Sequence, residues 1–181
     1  MDGPSPIPPR LTLPREQWTD HPRYPEQVLL MRSHESFRQV SRTLIERARE
    51  GITVGSIAWI YPQWIAGMRS HEGYEEYKLY PFLRRRWGVS MESLKAGHQQ
   101  LHRCDEEVRA ALADSRDPDA DTPNDALVHA LEEHDRVLVE HLRHEEDTVI
   151  PLLLELPPHE FDEYCHHSIG ELLRRLESRS A

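Results

Sequence analysis

Two stretches of the sequence carry the same pattern of groups able to do chemistry. His71-Glu72-Gly73-Tyr74-Glu75-Glu76 with Pro81, and His141-Leu142-Arg143-His144-Glu145-Glu146 with Pro151, both read as His, three residues, Glu-Glu, four residues, Pro. Every matched position recurs 70 residues later, which marks two related helix pairs rather than one chance motif. A His and a Glu four apart lie on one helix face one turn apart, so both can reach a single ion. One such pair is ordinary on a solvated helix. Here there are two in register, each following a segment with its own histidine, His34 and His98. Imidazoles and carboxylates taken into an apolar interior must pair or bind metal, and four helices each offering a ligand meet that need together. The chain has 12 His, and their dispersal through helical segments rules out a tag.

The elements that must position these groups follow from apolar spacing. Glu26 to Glu50 places Leu29, Leu30, His34, Phe37, Val40, Leu44 and Ile45 at helical steps and stops at Gly51. A second helix is predicted from Ile57 through Trp64, Met68, Tyr74, Leu79 and Phe82, with Pro62 near its start or at a kink and Gly88 after its end. Met91 to Ala113 gives a third. Thr122 as N-cap and Pro123 at the first helical position open a fourth, in which Leu127, Leu131, His134, Leu138, His141, Glu145 and Val149 form one stripe. That stripe puts His141 and Glu145 in line with core residues. His159 to Ser178 reads as a single shorter helix.

Strand signals are nearly absent, since alternating β-branched runs do not occur and the one Asp-Gly pair, Asp2-Gly3, follows no strand. The expectation is an all-α, antiparallel four-helix bundle over residues 26–155, with a Pro-rich N-terminal arm at 1–25 and an extra C-terminal helix at 156–181 that packs on the bundle. Trp18 offers the arm an anchor.

Composition narrows the function. The 181 residues suit one domain with a sizeable core, and a formal net charge of -10 supplies no basic face for nucleic acid. The longest apolar run, Val54 to Tyr61, falls far short of the roughly 20 residues a membrane span needs. The N-terminus lacks a basic start followed by an apolar stretch, so no signal peptide is expected and cytoplasmic residence follows. Two cysteines, Cys104 and Cys165, make no disulfide framework.

The paired motifs and their preceding histidines resemble the hemerythrin-like, HHE cation-binding proteins, over about Glu26 to Glu155. The resemblance implies a centre of two Fe ions held by His34, His71, Glu75, His98, His141 and Glu145, with Glu75 and Glu145 as bridges. Zn or Mn would be accepted as substitutes by such a ligand set. It implies reaction with O2 or peroxide, most naturally as an oxidase or oxygenase acting on a small-molecule substrate. The same family holds carriers or sensors of O2, NO or iron, and a peroxide-scavenging role needs the same site without an organic pocket. The electron donor is not legible.

Further positions stand as candidates. His102, one turn beyond His98, matches an extra ligand of the oxygen carriers; Glu146 matches the carboxylate position those carriers use; and Glu72 is a metal-site residue in some relatives. His134 and Trp64, seven residues before His141 and His71, are candidates for lining a pocket, and the aromatics Trp59, Tyr61 and Tyr74 beside the first motif are candidates for enclosing a substrate. His144, His166 and His167 read as surface residues, and Arg84, Arg85 and Arg86 as cations suited to a helix C-terminus. Competing metal signatures fit poorly. The Glu-x-x-His of ferritin-like bundles occurs only as Glu163-x-x-His166 without a second copy, and the zinc-protease His-Glu-x-x-His is absent because Glu75 stands where the second His belongs.

Overall fold

The structure is a computed structural model, and it describes residues 13–51, 54–114 and 125–180. Among these the chain is helical without strands: α1 (Tyr24–Arg49), α2 (Val54–Tyr74), α3 (Tyr80–Trp87), α4 (Glu92–Ala113), α5 (Asp125–Leu154), α6 (Pro158–His166) and α7 (Ile169–Ser180). None of these helices is long and apolar enough to cross a membrane. The Thr122-Pro123 cap expected for the fourth long helix lies outside the described residues.

Helix α5 packs against both α1 and α4, and α2 touches both of them as well. Two large apolar clusters fill most of the interior, beside a small one around Trp18. One gathers Leu44, Ile57, Tyr61, Met68, Leu101, Val108, Leu131 and Leu138; the other gathers Leu79, Phe82, Leu94, Val149, Leu153, Phe161 and Leu172. Between them lies a polar layer. On α1 it is His34, between Leu30 and Phe37; on α2 and the turn after it, His71 and Glu75, between Met68 and Leu79; on α4, His98, between Leu94 and Leu101; on α5, His141 and Glu145, between Leu138 and Val149. The two clusters are met in opposite order along successive helices, so each helix carries its polar residue to the same level.

Two local features depart from the sequence expectation, and a third agrees with it. The second predicted helix is interrupted: α2 begins at Val54, keeps Pro62 in its interior, and passes through a π-helical turn at Glu75–Leu79 into α3. Pro81 has no N–H to give the preceding turn, and the ladder widens so that Tyr80 N–H bonds the Glu75 carbonyl. The wider turn brings both Glu75 and Tyr80 to the inside, at 0% and 1% exposure. The single C-terminal helix is in fact two, α6 and α7. Ser168 and Glu171 form a capping box at the break, with Ser168 N–H and Oγ–H both donating to the Glu171 carboxylate and Glu171 N–H donating to Ser168 Oγ. Trp18 anchors the described part of the Pro-rich segment: Arg15–Asp20 forms a 3-10 turn that buries it against Ile150 and Leu154.

Helix α3 ends at Gly88, whose φ of 68° is a left-handed conformation that glycine adopts without strain. Arg84, Arg85 and Arg86 sit in that last turn, and Arg86 pairs with Glu160 of α6. Cys104 is buried, Cys165 is exposed, and no disulfide joins them.

Candidate metal centre

The polar layer draws six side chains to one place. His34, His71, Glu75 and Glu145 each turn a ligand atom into a single group, and His98, His141 and Glu145 form a second group that shares Glu145 with the first. His34 Nε2 and His71 Nε2 stand 3.0 Å apart, His71 Nε2 is 2.7 Å from Glu75 Oε1, and His34 Nε2 is 3.6 Å from Glu145 Oε2. On the other side His98 Nε2 lies 3.4 Å from Glu75 Oε2, His141 Nε2 lies 3.9 Å from Glu145 Oε2, and the rings of His98 and His141 meet edge to face at 4.7 Å. Glu75 therefore reaches both sides, as Glu145 does.

The outer edges of two rings are fixed by carboxylates. Glu146 Oε1 is 3.0 Å from His34 Nδ1, and Glu76 Oε1 is 2.7 Å from His98 Nδ1. An Nδ1–H donated outward leaves the Nε2 lone pair facing the cluster, the usual way a ligating imidazole is oriented. The second Glu of each motif thus holds the histidine that precedes the other motif. Glu146 is itself held by the Arg15 guanidinium at 2.7 Å and by Arg38 at 2.8 Å, and Arg15 lies over the Trp18 ring. The Arg15–Asp20 turn is thereby tied to His34.

Three oxygens of the cluster stand out by their surroundings. Both oxygens of Glu75 and Oε2 of Glu145 are buried without a hydrogen bond of acceptable geometry, an arrangement that is unfavourable in a folded protein unless a cation or water fills it. Protons take up part of the imbalance. Burial alone would lower His34, but Glu146 and Glu75 push it up to about 9, and His98 rises to about 9 against burial through Glu75 and Glu76. His141 goes the other way, down to about 3, through burial and then the charge of His98. Burial opposes ionisation of Glu75, yet contacts with His34, His71 and His98 hold it below the usual carboxylate range; burial and the nearby Glu75 push Glu145 up. Nitrogen and oxygen donors, converging, buried and short of hydrogen bonds, fit first-row divalent cations such as iron.

The remaining candidates fall elsewhere. Glu146 and Glu72 lie outside both groups, Glu146 clamping His34 and Glu72 pairing with His102 at 2.8 Å. His102, whose side chain is 42% exposed, makes that pair rather than entering a ligand group. His134 and Trp64 pack against each other and Tyr61 within the core, with ring centroids 5.2 Å apart. Tyr61 is fully buried, Trp59 is exposed, and Tyr74 is partly exposed beside a cavity. His144 and His166 are exposed and His167 half-buried.

Three functional contributors were not foreseen. Glu76 had a signal in the doubled Glu of both motifs. Tyr80 donates its hydroxyl to Glu145 Oε1 at 2.6 Å and stacks on His98, a position that only the π turn provides. Gly97 leaves the space in which the His141 ring sits, since a Cβ there would come within 2.3 Å of Nδ1.

Fold and site together define an all-helical protein with a buried set of histidines and glutamates able to hold cations. The chain belongs to the hemerythrin family: the family model described as the hemerythrin HHE cation binding domain matches residues 27–153. Searches of curated proteins and of solved structures gave no match.

Proposed function

We propose that the polar layer binds two iron ions, one beside His34 and His71 and one beside His98 and His141, with Glu75 and Glu145 shared between them. The observation that supports this reading is the set of buried carboxylate oxygens on Glu75 and Glu145 on which ring nitrogens converge at 2.7–3.9 Å without a well-aligned hydrogen bond to Glu75 or to Oε2 of Glu145. Bound as a pair, the irons would supply the electrons that O2 or peroxide accepts. The chain's own residues do the rest. Glu146 and Glu76 orient His34 and His98, Tyr80 holds one oxygen of Glu145, and hydrocarbon lies above and below the layer.

The protein acts as an oxidase or oxygenase on a small substrate. Two features support turnover over storage: His102 pairs with Glu72 outside the ligand groups, and a cavity of about 390 Å³ reaches His71 from the side of α6. A second reading, a carrier or sensor of a diatomic gas or a peroxide scavenger, is supported by the space at the cluster itself. That space, lined by His71, Glu75, His98, His141 and Glu145, measures about 10 Å³, too small for an organic molecule.

The test is to load the reduced protein with ferrous iron without air, admit O2, and follow the optical spectrum and O2 uptake. Continuing uptake with an added reductant supports the oxidase. A stable adduct that reverses on removing O2 supports the carrier, and no spectral change at all contradicts both.

A further inference from the structure

Beside the metal layer lies a cavity of about 390 Å³, within the usual range for small-molecule sites. One wall comes from the family domain: Leu30 of α1, His71 and Tyr74 of α2, Lys78 and Leu79 of the π turn, and Leu153 of α5. The other wall is Phe161, Tyr164 and Cys165 of α6, which lies beyond the residues that the family model matches. The cavity therefore exists because this chain lays α6 across the bundle.

Its lining is mostly hydrocarbon, with Lys78, Tyr74 and Tyr164 close together among it. Lys78 Nζ sits 4.9 Å from the centre of the Tyr164 ring. Among the described residues it has no carboxylate in ion-pair distance, in a chain whose net charge is -10. Beside it the Tyr74 and Tyr164 hydroxyls are 2.6 Å apart. Two hydroxyls bonded to each other use one O–H between them, which leaves the second to donate elsewhere. An ammonium and a spare phenolic O–H in a cavity also lined by Leu30, Leu79, Leu153 and Phe161 suit an anion with a hydrocarbon body.

We infer that this cavity binds a small monocarboxylate with a compact aliphatic or aromatic body, its carboxylate on Lys78 and the tyrosine hydroxyls and its hydrocarbon directed toward His71. The inference deepens the oxidase reading by naming its substrate class and rests on that reading for its purpose, while binding itself needs no metal.

The test is isothermal titration of the whole chain, metal-free and iron-loaded, with octanoate, with 3-phenylpropanoate and with octan-1-ol as the uncharged control. Saturable one-to-one binding of a carboxylate is expected, weakened about ten-fold or more in Lys78→Met, as for loss of a hydrogen bond to a charged group, and restored in Lys78→Arg. Binding of octanoate alone would assign an aliphatic body, and binding of 3-phenylpropanoate alone an aromatic one; either supports the site. Equal affinity in Lys78→Met, octan-1-ol binding as tightly as octanoate, or no saturation at millimolar carboxylate would each overturn it. Failure to load iron with carboxylate binding intact would sink the metal reading and leave this one standing.

Discussion

Replacing Gly97 with alanine sets two effects of opposite sign against each other. On helix propensity alone the change stabilises the interior of α4 by about 0.5–1 kcal/mol. The structure predicts the reverse, because the new Cβ would lie 2.3 Å from Nδ1 and 3.1 Å from two carbons of the His141 ring, where ordinary contact is 3.4–4 Å. The ring must give way by about 1 Å, and it is packed edge to face on His98 with little freedom to do so. Overpacking of this kind costs typically about 1–3 kcal/mol. The net effect is a loss of about 1 kcal/mol, or a fall of roughly 2–4 °C in melting temperature for a chain of this size. The larger effect falls on the metal: with the His141 nitrogen displaced, the side of the cluster formed by His98 and His141 loses a donor, and iron content should drop toward one per chain. The assay is metal analysis after anaerobic reconstitution, with thermal unfolding measured with and without chelator. A Gly97→Ala protein that is as stable as the parent and binds the same iron would refute the argument.

The carboxylate clamps and the core histidine give further outcomes. Glu146→Gln should weaken iron binding by about 10–100-fold, the usual effect of losing a partner behind a ligating histidine; competition with a chelator measures this, and unchanged affinity would show that Glu146 does not orient His34. Burial holds His134 neutral and down to about 4. The unfolded chain then binds the extra proton below its ordinary value of about 6.5, so the contribution is full above that pH and lost as pH falls toward 4, a change on the order of 3 kcal/mol. The difference in unfolding free energy between the metal-free parent and His134→Leu should therefore change across that window, and parallel curves would contradict it.

Much of the candidate site was legible because its signal is local. Spacing of four within a helix and repetition at a fixed offset singled out His71, Glu75, His141 and Glu145 without any knowledge of neighbouring helices. The stripe on α5 likewise showed which face is inward. What escaped depends on how helices rotate against one another. The Glu76–His98 and Glu146–His34 clamps cross between helices, so the doubled Glu could be seen but not its partner. Tyr80 enters through the π turn ahead of Pro81, and a proline near a motif does not by itself tell a wide turn from a kink or a helix start. Gly97 carries no chemistry of its own and gains its role only from the ring facing it. The break between α6 and α7 did have a signal, Ser168 with Glu171 three residues on, which apolar periodicity overrode.

The most direct test is to titrate the reduced, metal-free protein with ferrous iron and count the ions bound tightly per chain, alongside Glu75→Gln and Glu145→Gln. Two ions in the parent, and a loss of tight binding in both variants because each carboxylate serves both positions, is the predicted result. A parent that binds no iron, or variants that keep both ions, would contradict the proposal that these buried groups form a two-iron centre.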